Sequence, residues 1–418
     1  MLNRSLSPAL NEIDSIDFIK PKTYDINQHV KLYHMGNVPN ETSRVDFYFH
    51  AGTTVGKRGV AALTNGILLS GTAEKTSVEL HNAIDYLGGY FESGIGQENG
   101  LVTMYALREN MLPILQILHE AITNVAFHTH EFEDLINERK QKFKVSMEKV
   151  SFLAQRAFQE RLFNDSPYGR ITEITDFDSI SIDELKTFHR DNYLNGLKKV
   201  VVIGNFSQDD IDALIDLCGK WAQAAPATYF NAPINLKEKY HFTKDGALQT
   251  AIRVGRSFVN KTHEDYEEFL VLNTILGDYF GSRLMGNIRE DKGYTYGIGS
   301  MVVELQKSGY FLIATEVGAE HTEATLTEIK KEFERLQHEL VSEEELSLVK
   351  SYMLGQLLKS ADGAYAMMDL HLSVEPFEIS LDYYNESIER IKGCSPERIQ
   401  ELAKKYLNWN EMTVVSAG

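Results

Sequence analysis

Cysteine is nearly absent: Cys218 and Cys394 are the only two in 418 residues. Two thiols so far apart cannot build a disulfide framework or a zinc ribbon, so a reducing compartment is expected. Long apolar runs are lacking as well. No stretch approaches the roughly 20 residues of a membrane span. The opening MLNRSLSPALNEIDSIDF carries acids where a signal peptide keeps a continuous apolar core. These absences lead to the expectation of a cytoplasmic protein without membrane partners. Positive charge is in deficit too, with 42 Lys+Arg against 60 Asp+Glu and a net charge of -18. Phosphate binding needs a positive footprint, so nucleic acid is a poor partner. What remains is an ordinary globular composition, 43% hydrophobic, over a length that accommodates two or three domains.

The local patterns mix both periods. Val45, Phe47 and Phe49 alternate with polar residues in RVDFYFH, as in a half-buried strand. Thr76 and Glu79 have capping-box spacing and Gly88-Gly89 lies one helix length on, which predicts a helix over 77–87. Strand-like runs follow at 90–94 and 101–107, then a helix near 111–123. A helical stretch from Glu131 reaches as far as Phe163, with no proline before Pro167. Ser181 and Glu184 form a second capping box, opening a helix to Tyr193, and Lys199–Gly204 reads as a buried strand. Hairpin-like strand pairs mixed with helices favour an α+β fold over a doubly wound sheet.

The chain also repeats itself. Tyr193-Leu194-Asn195 precedes Val201-Val202, and Tyr406-Leu407-Asn408 precedes Val414-Val415; 406 − 193 and 414 − 201 both give 213. The same offset takes Phe132, early in the long helix, to Glu345 in a second helix start. Each is preceded by a strand-like run and an amphipathic helix. An offset near half the chain length implies two tandem copies of one domain. The expected halves are 1–223 and 236–418, joined by a linker at 224–235, AAPATYFNAPIN.

Most chemistry-bearing patterns are missing: no H-x-x-x-H, H-E-x-x-H, H-x-x-E-H, G-x-S-x-G, P-loop or G-x-G-x-x-G occurs. His119, His128, His130 and Glu131 cluster in sequence, the middle pair on what reads as a loop, and His371 and Glu375 stand one helical turn apart. Neither set has the convergent spacing of a zinc site. Gly94-Ile95-Gly96 and Gly297-Ile298-Gly299 suit bulges or close backbone approach. Cys218, in an apolar run, suits the core. The segment 281–300, GSRLMGNIREDKGYTYGIGS, is different. A helix ends around Arg289–Lys292, turns at Gly293 and enters a strand whose alternation puts Tyr294 and Tyr296 on one face. An arginine beside a tyrosine supplies charged and neutral donors suited to a carbonyl oxygen or the oxyanion formed on attack. The plainer reading is a helix-terminal salt bridge with tyrosines in a core.

Arg289 through Tyr296 resembles the R-(six residues)-Y element of the pitrilysin/insulinase family of inverted-motif zinc peptidases, processing peptidases among them. Phe49-His50-Ala51-Gly52, Leu87-Gly88-Gly89, Gln155-Arg156-Ala157-Phe158, Pro167-Tyr168-Gly169-Arg170, Phe188–Tyr193, Ile275-Leu276-Gly277 and Ser282-Arg283-Leu284 agree in order and spacing. The resemblance runs from about residue 25 to the end. It implies two tandem homologous halves, each an antiparallel-rich sheet covered by helices. The departure is at the family's H-x-x-E-H. Anchored on Gly71-Thr72, its five positions hold Ala62, Leu63, Thr64, Asn65 and Gly66, and the third-ligand position falls near Gln141 or Lys142. By this resemblance the chain has no metal site of its own. Its implied role is the non-zinc subunit of a heteromeric zinc metallopeptidase, giving Arg289 and Tyr296 in trans to a homologous zinc-bearing partner acting on a peptide. An edge strand at 88–94, or its counterpart in the second half, would take the extended peptide. The alternatives are an inactive structural or peptide-binding scaffold of the same fold, a homodimer included, and a lone enzyme with zinc on His119, His128 and Glu131.

Overall fold

The computed structural model describes residues 12–39, 41–221, 229–230 and 237–418. Most of the linker expected at 224–235 lies outside the described residues. The first half opens with β1 (Lys22–Asp25), β2 (Lys31–Met35) and β3 (Thr42–Phe49), followed by helices α1 (Val60–Ile67) and α2 (Ser77–Tyr86). The hairpin β4 (Tyr90–Ile95) and β5 (Gly100–Leu107) leads into α3 (Arg108–Thr123), α4 (Thr129–Met147) and α5 (Val150–Phe163). Short α6 (Ile174–Asp178) and α7 (Ile182–His189) precede β6 (Leu197–Ile203) and α8 (Gln208–Gly219). The second half runs β7 (Lys239–Phe242), β8 (Gln249–Phe258), α9 (Tyr266–Leu276), then the hairpin β9 (Thr295–Leu305) and β10 (Ser308–Gly318). It closes with α10 (Thr322–His338), α11 (Glu343–Ser360), α12 (Gly363–Val374), α13 (Tyr383–Gly393), α14 (Pro396–Tyr406) and β11 (Thr413–Ala417).

The strands form two sheets, ordered β1-β2-β6-β3-β5-β4 and β7-β11-β8-β10-β9. Apart from β1, the two orders are the same topology written twice. Each has one parallel pair, β2 with β6 and β7 with β11, and antiparallel pairing elsewhere. The duplication and the α+β class expected from the sequence are thus the architecture. Both capping boxes form as read: the Thr76 side chain accepts from Glu79 N while the Glu79 carboxylate accepts from Thr76 N, and Ser181 with Glu184 does the same.

One face of each sheet carries its own helices. Val45, Phe47, Phe49, Val200 and Val202 pack on α1, α2, α3 and α7 through Leu63, Leu80, Leu118 and Leu185. In the second half Ile252, Val254, Ile313 and Val414 meet α9, α10 and α14. The opposite faces are covered by exchange. Helix α5 of the first half crosses the second sheet, where Phe158, Leu162 and Phe163 pack on Leu312 and Val415. Helix α12 of the second half crosses the first sheet, where Ala364 and Met368 meet Met35, Val201 and Ile203. Gly255 in β8 makes room for α5, because a Cβ there would lie 2.8 Å from Phe158 Cζ and 2.1 Å from Phe311 O.

The exchange explains one departure from the sequence reading. The helix expected from Glu131 to Phe163 is two helices, broken where Lys149 is extended at φ −94° and ψ 122°. No proline or glycine marks that break. Its cause is tertiary, since α4 stays with α1 and α5 leaves for the other sheet. Polar contacts pin the halves together. Tyr33 donates to Glu375 at 3.0 Å, Lys199 also pairs with Glu375, and Glu98 accepts from Gln306 N at 3.0 Å.

Candidate functional site

Helix α1 carries the five positions singled out by the zinc-motif comparison. Asn65 is buried, and its Nδ2 donates to Tyr193 Oη at 3.1 Å and Gly94 O at 3.2 Å. An amide held as a donor is not a general base. Ala62 is half-buried, and Gly66 is exposed against α4, where an added Cβ would meet Leu135 Cδ1 at 3.1 Å and Arg139 Nη2 at 3.3 Å. Beside them lies a cavity of about 500 Å³ lined by Asn65, Gly66, His81, Phe91, Glu131 and Glu138 among others. Gln141 and Lys142 are exposed on α4, and Lys142 pairs with Glu138 one turn back. Ala, Asn and Gly at the motif positions offer no ligand set, and the cation of Lys142 opposes a divalent ion nearby. The site does not fit zinc. Among the described residues no group of three or more His, Cys, Asp or Glu is placed to hold a metal.

The arginine–tyrosine element is built by the turn between α9 and β9. A wide π-helical turn, Met285–Asp291, is anchored by fully buried Ile288. Gly293 ends it at φ +67°, a left-handed conformation that favours glycine. Gly293 N donates to Arg289 O and Tyr294 N to Ile288 O. The Arg289 guanidinium lies over the Phe280 ring at 4.6 Å, a cation–π contact, and makes no hydrogen bond or ion pair with the described residues. The helix-terminal salt bridge of the plainer reading is therefore not formed.

Tyr296 is 94% exposed. The expectation that it shares a face with Tyr294 fails. Tyr294 precedes the strand and stacks on His321 at 4.4 Å, against the second core. The register explains the difference: Val317 pairs with Thr295 but Thr315 pairs with Ile298, so β9 holds one extra residue there. Such a bulge re-aims a side chain. Thr295 fastens it, its Oγ1 donating to Glu316 O at 2.7 Å and accepting from Gly297 N at 3.1 Å and Thr315 Oγ1 at 3.0 Å. Gly297 thus marks a bulge, as its pattern implied. Tyr296 borders a second cavity, about 440 Å³, with Gln249, Arg253, Thr315 and Glu316. Sheet edges flank both cavities, since β4 and β9 each end their sheet.

The remaining candidates do not converge. His119 packs edge-on against Trp221 at 5.2 Å, and burial lowers its pKa. His128 caps α4 and stacks on His130 at 5.5 Å, so His130 lies in the first turn of a helix and not on a loop. His371 lies edge-on to Tyr33, and Glu375 is held by Lys199 and Tyr33. Cys218 is buried, its thiol pushed up to about 12 by burial. Sequence reasoning missed Arg253, a buried arginine in β8 that lines the Tyr296 cavity. The available signal was a charged residue inside the mostly apolar run QTAIRVGRSF.

Comparison with known proteins shows the family and the fold. Residues 35–176 match the family described as Insulinase (Peptidase family M16), and residues 179–353 match the Peptidase M16 inactive domain. The chain belongs to the M16 peptidase family. Among curated relatives, the uncharacterized zinc protease YmxG of Bacillus subtilis is 23% identical, over 83% of this chain and 85% of that one. The probable inactive metalloprotease YmfF of the same organism is 22% identical, over 66% and 67%. The mitochondrial-processing peptidase subunit beta of Saccharomyces cerevisiae is 21% identical, over 88% and 82%. The crystal structure of a peptidase M16 inactive domain from Pseudomonas fluorescens superposes with a TM-score of 0.86 at 23% identity, covering 96% of this chain and 98% of that one. Within this family the present chain has an inactive peptidase-like fold, and no helix among the described residues is long and apolar enough to cross a membrane.

Proposed function

We propose that this chain is the non-zinc subunit of a heteromeric M16-type metallopeptidase. It binds an extended peptide and supplies Arg289 and Tyr296 to the site of a homologous, zinc-bearing partner. One observation carries the reading: Tyr296 stands almost fully exposed on a bulge fastened by Thr295, with Arg289, on the turn before it, uncommitted to any carboxylate among the described residues. An exposed aromatic held in place by a dedicated backbone irregularity has no packing role, whereas a donor presented to a substrate needs that fixed aim. Arg289 holds the substrate carbonyl by a charge-assisted hydrogen bond. The Tyr296 hydroxyl donates to the oxyanion that develops during attack. The edge strand β4 or β9 offers unpaired backbone groups to which a peptide adds as a further strand. The degenerate α1 supports assigning the metal to the partner, and one relative is itself named as a subunit of a processing peptidase.

The test is reconstitution with a homologous chain that carries H-x-x-E-H. Peptidase activity is expected in the mixture and not in this chain alone. Tyr296→Phe and Arg289→Ala are each expected to lower the rate by about 10²–10³-fold without changing the partner's zinc content. An unchanged rate for both variants assigns the chain to the scaffold role instead.

A further inference from the structure

Arg253 is 9% exposed, yet among the described residues no carboxylate lies within ion-pair distance of it. Its Nε donates to Gln155 Oε1 at 3.2 Å and its Nη1 to Ile252 O at 2.9 Å. The other bonds are long, Nη1 to Thr315 O at 3.5 Å and Nη2 to Ser151 O at 3.4 Å, and one N–H of Nη2 has no acceptor among the described residues. All four acceptors are neutral. The matching face of the first sheet treats its half-buried arginine differently, for Arg44 is neutralised by Asp46 and Asp369, both at 2.8 Å. A buried, hydrogen-bonded charge without a counter-ion is costly to the fold. Here that charge borders the cavity that also holds Tyr296. Glu316, on the same wall, acts on Arg253 only through space: burial lowers the arginine's pKa and Glu316 opposes that shift.

We infer that Arg253 and the cavity it shares with Tyr296 form a carboxylate subsite, which takes an acidic side chain or the C-terminal carboxylate of a bound peptide. The assignment rests on Tyr296 facing substrate and adds a specificity element to that reading. A carboxylate there supplies the missing counter-charge, engages the free N–H, and displaces the two long bonds to backbone carbonyls. Gln249 and the exposed edge of β9 leave the cavity open to an extended chain.

Binding to this chain alone, without a partner, tests the idea. The probes are three short N-acetylated alanine-based peptides of equal length: one amidated and neutral, one amidated with a central glutamate, and one with a free C-terminal carboxylate. At least one carboxylate peptide is expected to bind roughly tenfold or more tightly than the neutral one, as a charge-assisted contact provides. Whichever does so identifies the source of the carboxylate. R253Q should abolish that preference and R253K should retain part of it. E316Q, on a partly exposed side chain, should strengthen carboxylate binding and leave the neutral peptide unchanged, which keeps the test decisive where R253Q loosens α5. Equal affinity for all three peptides, or a preference unaltered by both R253Q and E316Q, overturns the assignment. Loss of rate on mutating Arg289 or Tyr296 in the assembled complex is a separate measurement, so either reading can fail without the other.

Discussion

Asn65 Nδ2 donates to the hydroxyl of Tyr193 at 3.1 Å, joining the position that the sequence comparison aligned with the zinc motif's glutamate to a tyrosine buried in the first core. Asparagine here is part of the packing. Asn65→Ala is expected to cost about 1–3 kcal/mol by leaving buried polar atoms without a partner, read by urea unfolding. Rebuilding the motif as Ala62→His, Asn65→Glu and Gly66→His should not restore a metal site. The third-ligand position inferred from the sequence falls near Gln141 or Lys142, neither of them a carboxylate, and a side chain at 66 meets Leu135 and Arg139. The triple variant is expected to purify with far less than stoichiometric zinc and a lowered Tm; metal analysis decides.

Thr295→Val keeps the size of the side chain but removes the bonds that fasten the bulge. The stability cost should be about 1 kcal/mol. If Tyr296 acts as proposed, its misplacement lowers the rate of the reconstituted complex by about 10–100-fold. A loss of rate far larger than the loss of stability separates aiming from folding.

The exchanged helices pack each half on the other's sheet, so the two should unfold as one cooperative unit. Phe158 of α5 lies on the second sheet with less than a tenth of its surface exposed, and Phe158→Ala should cost about 3–5 kcal/mol. A chain nicked within 224–235 should still elute from a sizing column as one species, separating only in denaturant. Two separate peaks under native conditions would refute the packing described.

Acid should loosen the fold as its buried histidines are forced to take up protons. Burial lowers the pKa of His34, His50, His119, His189 and His371, that of His50 to about 4. Unfolded histidine takes up its proton near 6.5. Below that pH the unfolded chain binds more protons than the folded one, so stability is full above about 6.5 and falls as pH drops toward 4. Asp265, held by Lys405, Tyr406 and Arg398, has its pKa lowered and adds a further loss only at lower pH. Thermal melts between pH 7 and 5 should show Tm declining. His189→Gln, losing the contact with Ile122 O at 2.7 Å, should lower Tm at pH 7 yet flatten that slope.

Much of the fold was legible because its causes are local or repeated. Capping boxes at Thr76 and Ser181 satisfy their own helix starts. The offset of 213 residues carries α3, α4 and α5 onto α10, α11 and α12. The break at Lys149 was not legible, because its cause is a sheet 100 residues further along the chain. In the site, Gly293 announced the turn, and Gly297 the irregularity after it. What alternation alone could not give was the extra residue in β9 that separates Tyr294 from Tyr296. The partner of Arg289 was equally hidden, since Phe280 approaches it through the turn and not through helical spacing.

The most direct measurement of the central claim is the turnover of a peptide by this chain mixed with a homologous H-x-x-E-H subunit, with Tyr296 and Arg289 intact and substituted. The account predicts activity only in the mixture and its collapse in Tyr296→Phe and Arg289→Ala at constant zinc content. Full activity of the partner without this chain, or of the mixture with both side chains removed, would contradict it.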